Sequence, residues 1–124
     1  MTPRLTLAAT VLGTPDVAAL AAFYRRLLGW EQGANEPAWA TLRNPTGGPG
    51  LSFQLEPDHI RPTWPTKPGT QQMMTHLDIR VDDLPAACAH AEASGATLAT
   101  YQPQPAVRVY LDPDGHPFCL YLGG

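Results

Sequence analysis

Two short stretches of similar pattern restrict the fold of this chain more than any other feature of its sequence. They are TPDVAALAAFYRRLLG and VDDLPAACAHAEASGA, which align with Asp16 over Asp83, 67 residues apart. Thr14 or Asp16 in the first stretch, and Asp82 or Asp83 in the second, can cap a helix by accepting hydrogen bonds from the free N–H groups of the first turn, and a glycine, Gly29 or Gly95, can end it. Two unrelated capped helices could match by chance. Because each helix also lies between strand-like segments in the same order, the sequence instead predicts an internal duplication.

Three segments around the first helix have strand-like patterns. Residues Arg4 to Leu12 are rich in Leu, Thr and Val, and Ala38 to Arg43 form a second short stretch of this kind. The third, LSFQLEP from Leu51 onward, alternates apolar and polar residues, so its apolar side chains share one face. A stretch rich in Pro and polar residues follows, from Pro57 to Gln72, and predicts an irregular connector that carries Trp64.

The strand and helix pattern restarts after this connector. In THLDIRV, apolar residues alternate with polar ones, and the side chains of His76, Asp78 and Arg80 are predicted to share the polar face. After the second helix, VRVYL and PFCLYL predict two strands joined by the turn DPDGH. Gly115 of this turn tolerates the positive φ that a tight hairpin requires. The chain is therefore predicted to have an α+β fold.

Composition excludes several classes of function. The chain has 124 residues and a net charge of -3, without a Lys/Arg cluster that would indicate nucleic-acid binding. No stretch approaches the roughly 20 apolar residues of a membrane span, and the N-terminus lacks the pattern of a secretory signal. The two cysteines do not form a disulfide-rich pattern, which is typical of a reducing compartment. We expect a small cytoplasmic protein with neither a nucleic-acid nor a membrane partner.

The segments TPDVAALAAFYRRLLGW, HLDIRVDDL and LDPDGHPFCLY resemble those of the vicinal oxygen chelate superfamily, which includes glyoxalases, bleomycin-resistance proteins and extradiol dioxygenases. RPTWP followed by QQMMTHLDIRVDDL is more narrowly similar to glyoxalase-like proteins of actinobacteria. The resemblance implies two βαβββ modules whose strands curl into a cup within a single domain, residues 1–124. Module 1 would span about 1–57, the connector about 57–73 and module 2 about 74–124. It also implies a homodimer.

The resemblance places four metal-ligand positions in the cup, and this sequence fills them poorly. The first ligand of each module lies seven residues before the capping aspartate, which gives Ala9 and His76, and the final strands give Gln54 and Cys119. Active relatives carry His or Glu there. Ala9 offers no donor atom, Gln54 offers only a neutral amide oxygen, and Cys119 offers a soft sulfur. We therefore expect a degenerate metal site and no cofactor, with a bound divalent metal as the alternative.

The candidate ligand-binding residues are Gln54, His76, Asp78, Arg80, Cys119, Trp64 and Tyr121. If the polar face of THLDIRV lines the cup, it provides a floor for a small polar, aromatic or anionic ligand. His76 could equally be an ordinary hydrogen-bonded histidine, and Cys119 a small apolar core residue that becomes a nucleophile only beside a base such as His76. Trp64 either covers the mouth of the cup or packs the connector down. His116 is predicted to face solvent.

Two functions follow as hypotheses. The first is a module that binds a small molecule without a metal, as bleomycin-resistance relatives do. The alternative is an enzyme of the lyase or isomerase type, in which His76 is the general base and Asp78 or Arg80 orients the substrate. A metal-dependent enzyme is the usual activity of the superfamily, but Ala9 argues against it. Whether the protein is an enzyme stays open at this level.

Overall fold

The computed structural model describes residues 2–123 and divides the chain into two compact units, one up to His59 and one from Ile60 onward. The first unit has the order strand, helix and three strands. These are β1 (Ala9–Thr14), α1 (Val17–Leu28), β2 (Glu31–Glu36), β3 (Trp39–Arg43) and β4 (Gly50–Leu55). Its sheet has the order β1-β4-β3-β2, in which β1 is parallel to β4 and the other pairs are antiparallel.

The second unit repeats this plan. Its elements are β5 (Leu77–Val81), α2 (Leu84–Ser94), β6 (Thr97–Leu98), β7 (Val107–Leu111) and β8 (Pro117–Leu122). The sheet order is β5-β8-β7-β6, again with the first and last strands parallel. The predicted α+β fold of two βαβββ modules is thereby confirmed.

The helix ends follow the capping chemistry predicted from the sequence. The side chains of Asp16 and Asp83 each accept a hydrogen bond from the backbone N–H three residues later, at 3.1 and 3.0 Å. Each helix is followed by a glycine in the left-handed region, Gly29 at φ +70° and Gly95 at φ +115°. A residue with a Cβ is strained there, so these glycines stop the helices where the chain must turn into the next strand.

Aromatic side chains form the core of each unit. In the first unit, Tyr24 of α1 stacks on Phe53 of β4 with ring centroids 5.7 Å apart, and both are fully buried. In the second, Tyr110 of β7 stacks on Phe118 of β8 at 6.0 Å. The Tyr110 hydroxyl donates to Glu92 Oε2 at 2.7 Å, which ties α2 to the sheet. The pKa of Tyr110 is raised well above its usual range, mainly by burial and to a smaller extent by this hydrogen bond.

Two strands of the first unit differ from the sequence prediction. The first strand begins at Ala9 rather than Arg4, because its ladder with β4 starts at the pair Ala9–Gly50. Glu31–Glu36 forms a strand although its residues have no apolar alternation. It is the edge strand of its sheet, pairs only with β3 and contains an irregularity, so most of its side chains face solvent and carry no apolar signal.

The predicted connector contains neither a helix nor a strand, but it is anchored within the second unit. Arg61 donates from Nη1 to the carbonyl oxygen of Pro113 at 2.6 Å, and its side chain lies directly beneath Gly115. Gly115 has φ +91°, as the turn prediction required. A side chain at this position would be strained in the backbone and would also press on Arg61.

Candidate functional site

A polar cluster forms on one face of the second sheet because of the register between β5 and β8. Asp78 and Cys119 are directly paired in this parallel ladder. His76 lies two residues before Asp78, and alternate residues of an extended chain point to the same side. The fold thus brings together His76, Asp78 and Cys119, whose sequence positions are up to 43 residues apart.

The atoms of this cluster lie within bonding reach of a shared partner. His76 Nε2 is 3.1 Å from Asp78 Oδ1, and one donor atom from each of His76, Asp78 and Cys119 lies within 4.8 Å of the other two. The side chains of His76 and Asp78 are 39% and 59% exposed, so the cluster is open to a ligand. Within residues 2–123, it is the group of His, Cys and acidic side chains suited to holding an ion.

The cluster forms the polar part of a cavity of about 360 Å³ that lies wholly in the second unit. The remainder of the lining is mainly apolar and aromatic. The lining residues are Trp64, His76, Asp78, Pro103, Gln104, Val107, Val109, Cys119 and Tyr121. A few convergent polar groups among apolar walls are the usual composition of a small-molecule site.

Trp64 is held in the wall of this cavity by the loop that follows β6. Its indole Nε1–H donates to the carbonyl oxygen of Tyr101 at 3.0 Å, and the two rings lie 6.1 Å apart. The connector itself is closed by a bond from the Thr63 N–H to the Gln71 carbonyl oxygen at 2.8 Å. The aromatic face of Trp64 is therefore fixed in position before any ligand arrives.

The surroundings of the Cys119 thiol favour its protonated form. Burial raises its pKa above the usual range, and the negative charge of Asp78 and a hydrogen bond to that carboxylate raise it further. A catalytic thiolate needs the opposite environment, a nearby cation that lowers the thiol pKa. This environment argues against Cys119 as a nucleophile.

Three of the other predicted positions, Arg80, Gln54 and Ala9, lie elsewhere. Arg80 lines a separate groove of about 820 Å³ beside the start of α2 and does not line the smaller cavity. In the first unit, Gln54 is exposed and donates from Nε2 to Glu56 Oε1 at 2.7 Å, and Ala9 begins β1. Tyr121, in contrast, lines the cavity with Trp64.

The prediction that His116 faces solvent is wrong. Its side chain is only 15% exposed, and its Nδ1 lies 2.8 Å from Oδ2 of Asp112, whose side chain is fully buried. Asp112 Oδ1 also accepts the backbone N–H groups of Asp114 and His116 at 2.9 and 3.0 Å. The four-residue spacing of Asp and His across a glycine turn was the sequence signal for this pair.

Other cavity residues had no such signal. Pro103, Gln104, Val107 and Val109 line the wall because the loop before β7 folds back toward the cluster. The neighbouring Gln102 pins this loop by donating to the Ala99 and Val109 carbonyl oxygens at 2.8 and 2.9 Å. Prolines and valines are common in loops and strands, so their type alone predicts no binding role.

In the part of the chain that the structure describes, no helix has both the length and the apolar character needed to cross a membrane.

Several solved structures share this fold. Similar structures include a glyoxalase/bleomycin resistance protein/dioxygenase family enzyme from Burkholderia phytofirmans PsJN, with 21% identity, TM-score 0.69, and 94% of this chain and 97% of that chain covered. A glyoxalase-related enzyme from Fulvimarina pelagi has 20% identity and TM-score 0.69, with 95% and 88% covered. Lactoylglutathione lyase from Agrobacterium tumefaciens has 19% identity and TM-score 0.65, with 98% and 96% covered. At these identities the likeness shows a shared fold.

The family of the chain follows from its sequence. No curated protein matches the chain. The sequence profile of the glyoxalase-like domain, in contrast, matches residues 9–121, which is nearly the whole chain and spans both βαβββ units. The chain therefore belongs to the glyoxalase-like domain family.

Proposed function

We propose that this protein binds a small polar or aromatic molecule in the cavity of about 360 Å³ in its second unit. The observation that carries the proposal is the convergence of His76, Asp78 and Cys119 among apolar and aromatic walls. The polar groups would fix the orientation of the ligand, and Trp64 and Tyr121 would contribute apolar contact area.

The charge of the lining narrows the ligand class. Asp78 supplies a carboxylate, and no Lys or Arg is among the lining residues. An anionic ligand, which the sequence pattern with Arg80 had suggested, would be repelled by Asp78 and would lack a cationic partner here. The favoured ligand is neutral or cationic and donates hydrogen bonds to Asp78.

The proposed binding uses His76 and Cys119, two of the four metal positions that the resemblance implies, but it needs no ion held by all four. Ala9 has no donor atom, and the Gln54 amide is engaged with Glu56. Hard divalent cations require several carboxylate or imidazole ligands, so these positions do not suit such an ion. We therefore propose that this four-position site is degenerate and derive no chemical step from it.

A second candidate function is supported by the His76–Asp78 pair. With Nε2–H donating to Asp78 Oδ1 across 3.1 Å, the imidazole would keep Nδ1 free to accept a proton. A histidine oriented by a carboxylate is the arrangement of a general base. The protein would then be a lyase or isomerase, with Asp78 rather than Arg80 as the orienting group, since Arg80 does not line this cavity.

Native mass spectrometry of protein purified without chelators tests ligand binding. We expect a co-purified organic compound, whose affinity isothermal titration would then measure. Trp64→Ala should weaken this affinity about tenfold or more, because stacking on an aromatic face is worth about 0.5–1.5 kcal/mol beyond the area it buries. Trp30→Ala, in the first unit, is the matched control and should leave the affinity unchanged. Equal losses in both variants would contradict the assignment of the cavity.

The same compound distinguishes a binding module from an enzyme. Incubation with the wild-type protein, followed by mass analysis of the compound, would reveal turnover. If turnover occurs, His76→Gln should lower its rate by about 100-fold, within the range that general acid–base catalysis contributes. Turnover that survives this substitution would show that His76 is not the base. If the wild-type protein leaves the compound unchanged, binding without catalysis is the remaining function.

We also propose a cytoplasmic homodimer, on the basis of the family resemblance. The mass of one chain is 13.4 kDa, so light scattering at micromolar concentration should give about twice this value. A mass equal to that of one chain across the concentration range would contradict the dimer.

A further inference from the structure

We infer that His76, Asp78 and Cys119 form a zinc site that lies wholly within the second unit. The inference uses no residue of the first unit. It shares His76 and Cys119 with the four positions discussed above and adds Asp78 as the third donor. It also does not require an organic ligand, so it can hold or fail separately from the proposed binding function.

The spacing of the donor atoms carries this inference. Two nitrogen or oxygen ligands at 2.0–2.1 Å from a tetrahedral zinc lie about 3.3 Å from each other. His76 Nε2 and Asp78 Oδ1 are 3.1 Å apart, so this edge of the tetrahedron is nearly formed. A sulfur at about 2.3 Å from the metal would lie about 3.6 Å from the other two donors. All three donors already lie within 4.8 Å of one another, so Cys119 has to move by about one ångström at most.

The backbone explains why the three donors stay together. Asp78 and Cys119 are paired residues of two hydrogen-bonded parallel strands, and His76 directly precedes the first of these strands. The main chain at Asp78 and Cys119 is thus fixed by the sheet, and little conformational entropy would be lost when a metal binds. Such preorganisation favours binding.

The chemistry of the donors selects the metal. A thiolate and an imidazole suit zinc, whereas Mg²⁺ and Ca²⁺ prefer oxygen ligands alone. The thiolate and the carboxylate together neutralise the two positive charges of the ion. Three protein ligands leave the fourth position of zinc open, which is the arrangement of zinc sites that accept a water or a substrate. Here the open position would face the cavity, because all three donors line it.

Cobalt substitution tests this site with a spectroscopic signal that needs no activity. Reduced protein is freed of metal with a chelator and titrated with Co²⁺, and Zn²⁺ is then added in competition. We expect one Co²⁺ per chain, a near-ultraviolet thiolate-to-cobalt charge-transfer band, and loss of that band as Zn²⁺ displaces the cobalt. Mg²⁺ at the same concentration should not displace it.

Single substitutions locate the site. Cys119→Ser should abolish the band and weaken Zn²⁺ binding at least 100-fold, and His76→Gln should weaken it at least tenfold. Cys88→Ser, which changes the other cysteine of the chain, should leave both band and affinity unchanged. A band that is absent from the wild-type protein, or that is lost with Cys88→Ser and kept with Cys119→Ser, overturns the inference.

Two further measurements keep the outcomes separate. If circular dichroism shows that Cys119→Ser does not fold, His76→Gln and Asp78→Asn, which lie at more exposed positions, test the zinc site instead. Unchanged zinc affinity in both variants would overturn the inference. Titration of any co-purified organic compound into metal-free protein reports on the proposed binding function alone. Loss of zinc binding with intact ligand binding, or the reverse, therefore identifies which proposal has failed.

Discussion

Replacing Asp112 with alanine is expected to lower the free energy of unfolding by about 1–3 kcal/mol for each buried hydrogen-bond donor that is left without an acceptor. The carboxylate is fully buried, accepts the N–H groups of Asp114 and His116, and contacts the His116 imidazole. Alanine leaves these donors without an acceptor where water has little access. The turn before β8 would loosen, and with it the strand that carries Cys119.

Urea unfolding monitored by circular dichroism measures this loss. Asp82→Ala is the matched control, because Asp82 is an exposed aspartate of the same unit, and a change within about 0.5 kcal/mol is expected there. Asp112→Asn should lie between the two, since an amide keeps one acceptor oxygen without the charge. Equal stability of Asp112→Ala and the wild-type protein would show that the turn does not depend on this carboxylate.

The thiol of metal-free Cys119 is expected to react with iodoacetamide about three to ten times faster when Asp78 is replaced by asparagine. In the wild-type protein, burial and then the Asp78 charge raise the pKa of this thiol. Only the thiolate reacts, so at a pH below the pKa each unit by which the pKa falls increases the thiolate fraction about tenfold, and the weaker nucleophilicity of the less basic thiolate offsets part of this gain. Removing the charge while burial remains lowers the pKa in part, which limits the expected gain.

Peptide mass spectrometry over pH 7 to 10 would follow the two cysteines separately. Asp78→Asn should move the pH profile of Cys119 toward lower pH, and Cys88, on α2, supplies the internal comparison. The rates of the two proteins should converge once the pH exceeds both thiol pKa values. A profile that moves toward higher pH in Asp78→Asn would contradict the electrostatic role of Asp78.

Local chemistry was sufficient to predict the helices and most of the strands. Asp16 and Asp83 cap the two helices, and Gly29 and Gly95 end them in the left-handed conformation, because both effects act over a few residues of the chain. The alternation around Asp78 predicted the strand that carries it for the same reason. The polar strand Glu31–Glu36 was not predictable in this way, because an edge strand gains its stability from pairing with β3 rather than from an apolar face.

The membership of the candidate site was predictable only in part, because Gln54 was also predicted and does not line the cavity, and four of the wall residues carried no sequence signal. His76, Asp78, Cys119, Trp64 and Tyr121 were all predicted ligand-binding residues, and all line one cavity of the second unit. Their roles as site residues stay predictions. Arg80, assigned to the same polar face, lies at a different groove instead, because the end of β5 beside α2 opens onto another part of the surface.

The sequence by itself determined the duplicated strand and helix order, the helix ends and the turn before the last strand. These features depend on backbone conformation and side-chain periodicity within a few residues. Only the tertiary structure decided that Asp78 lies beside Cys119, 41 residues later, that Trp64 docks on the Tyr101 carbonyl, and that His116 turns inward to Asp112. Such contacts depend on strand register and loop packing, and these are set by the sum of many weak interactions across the core rather than by any local pattern.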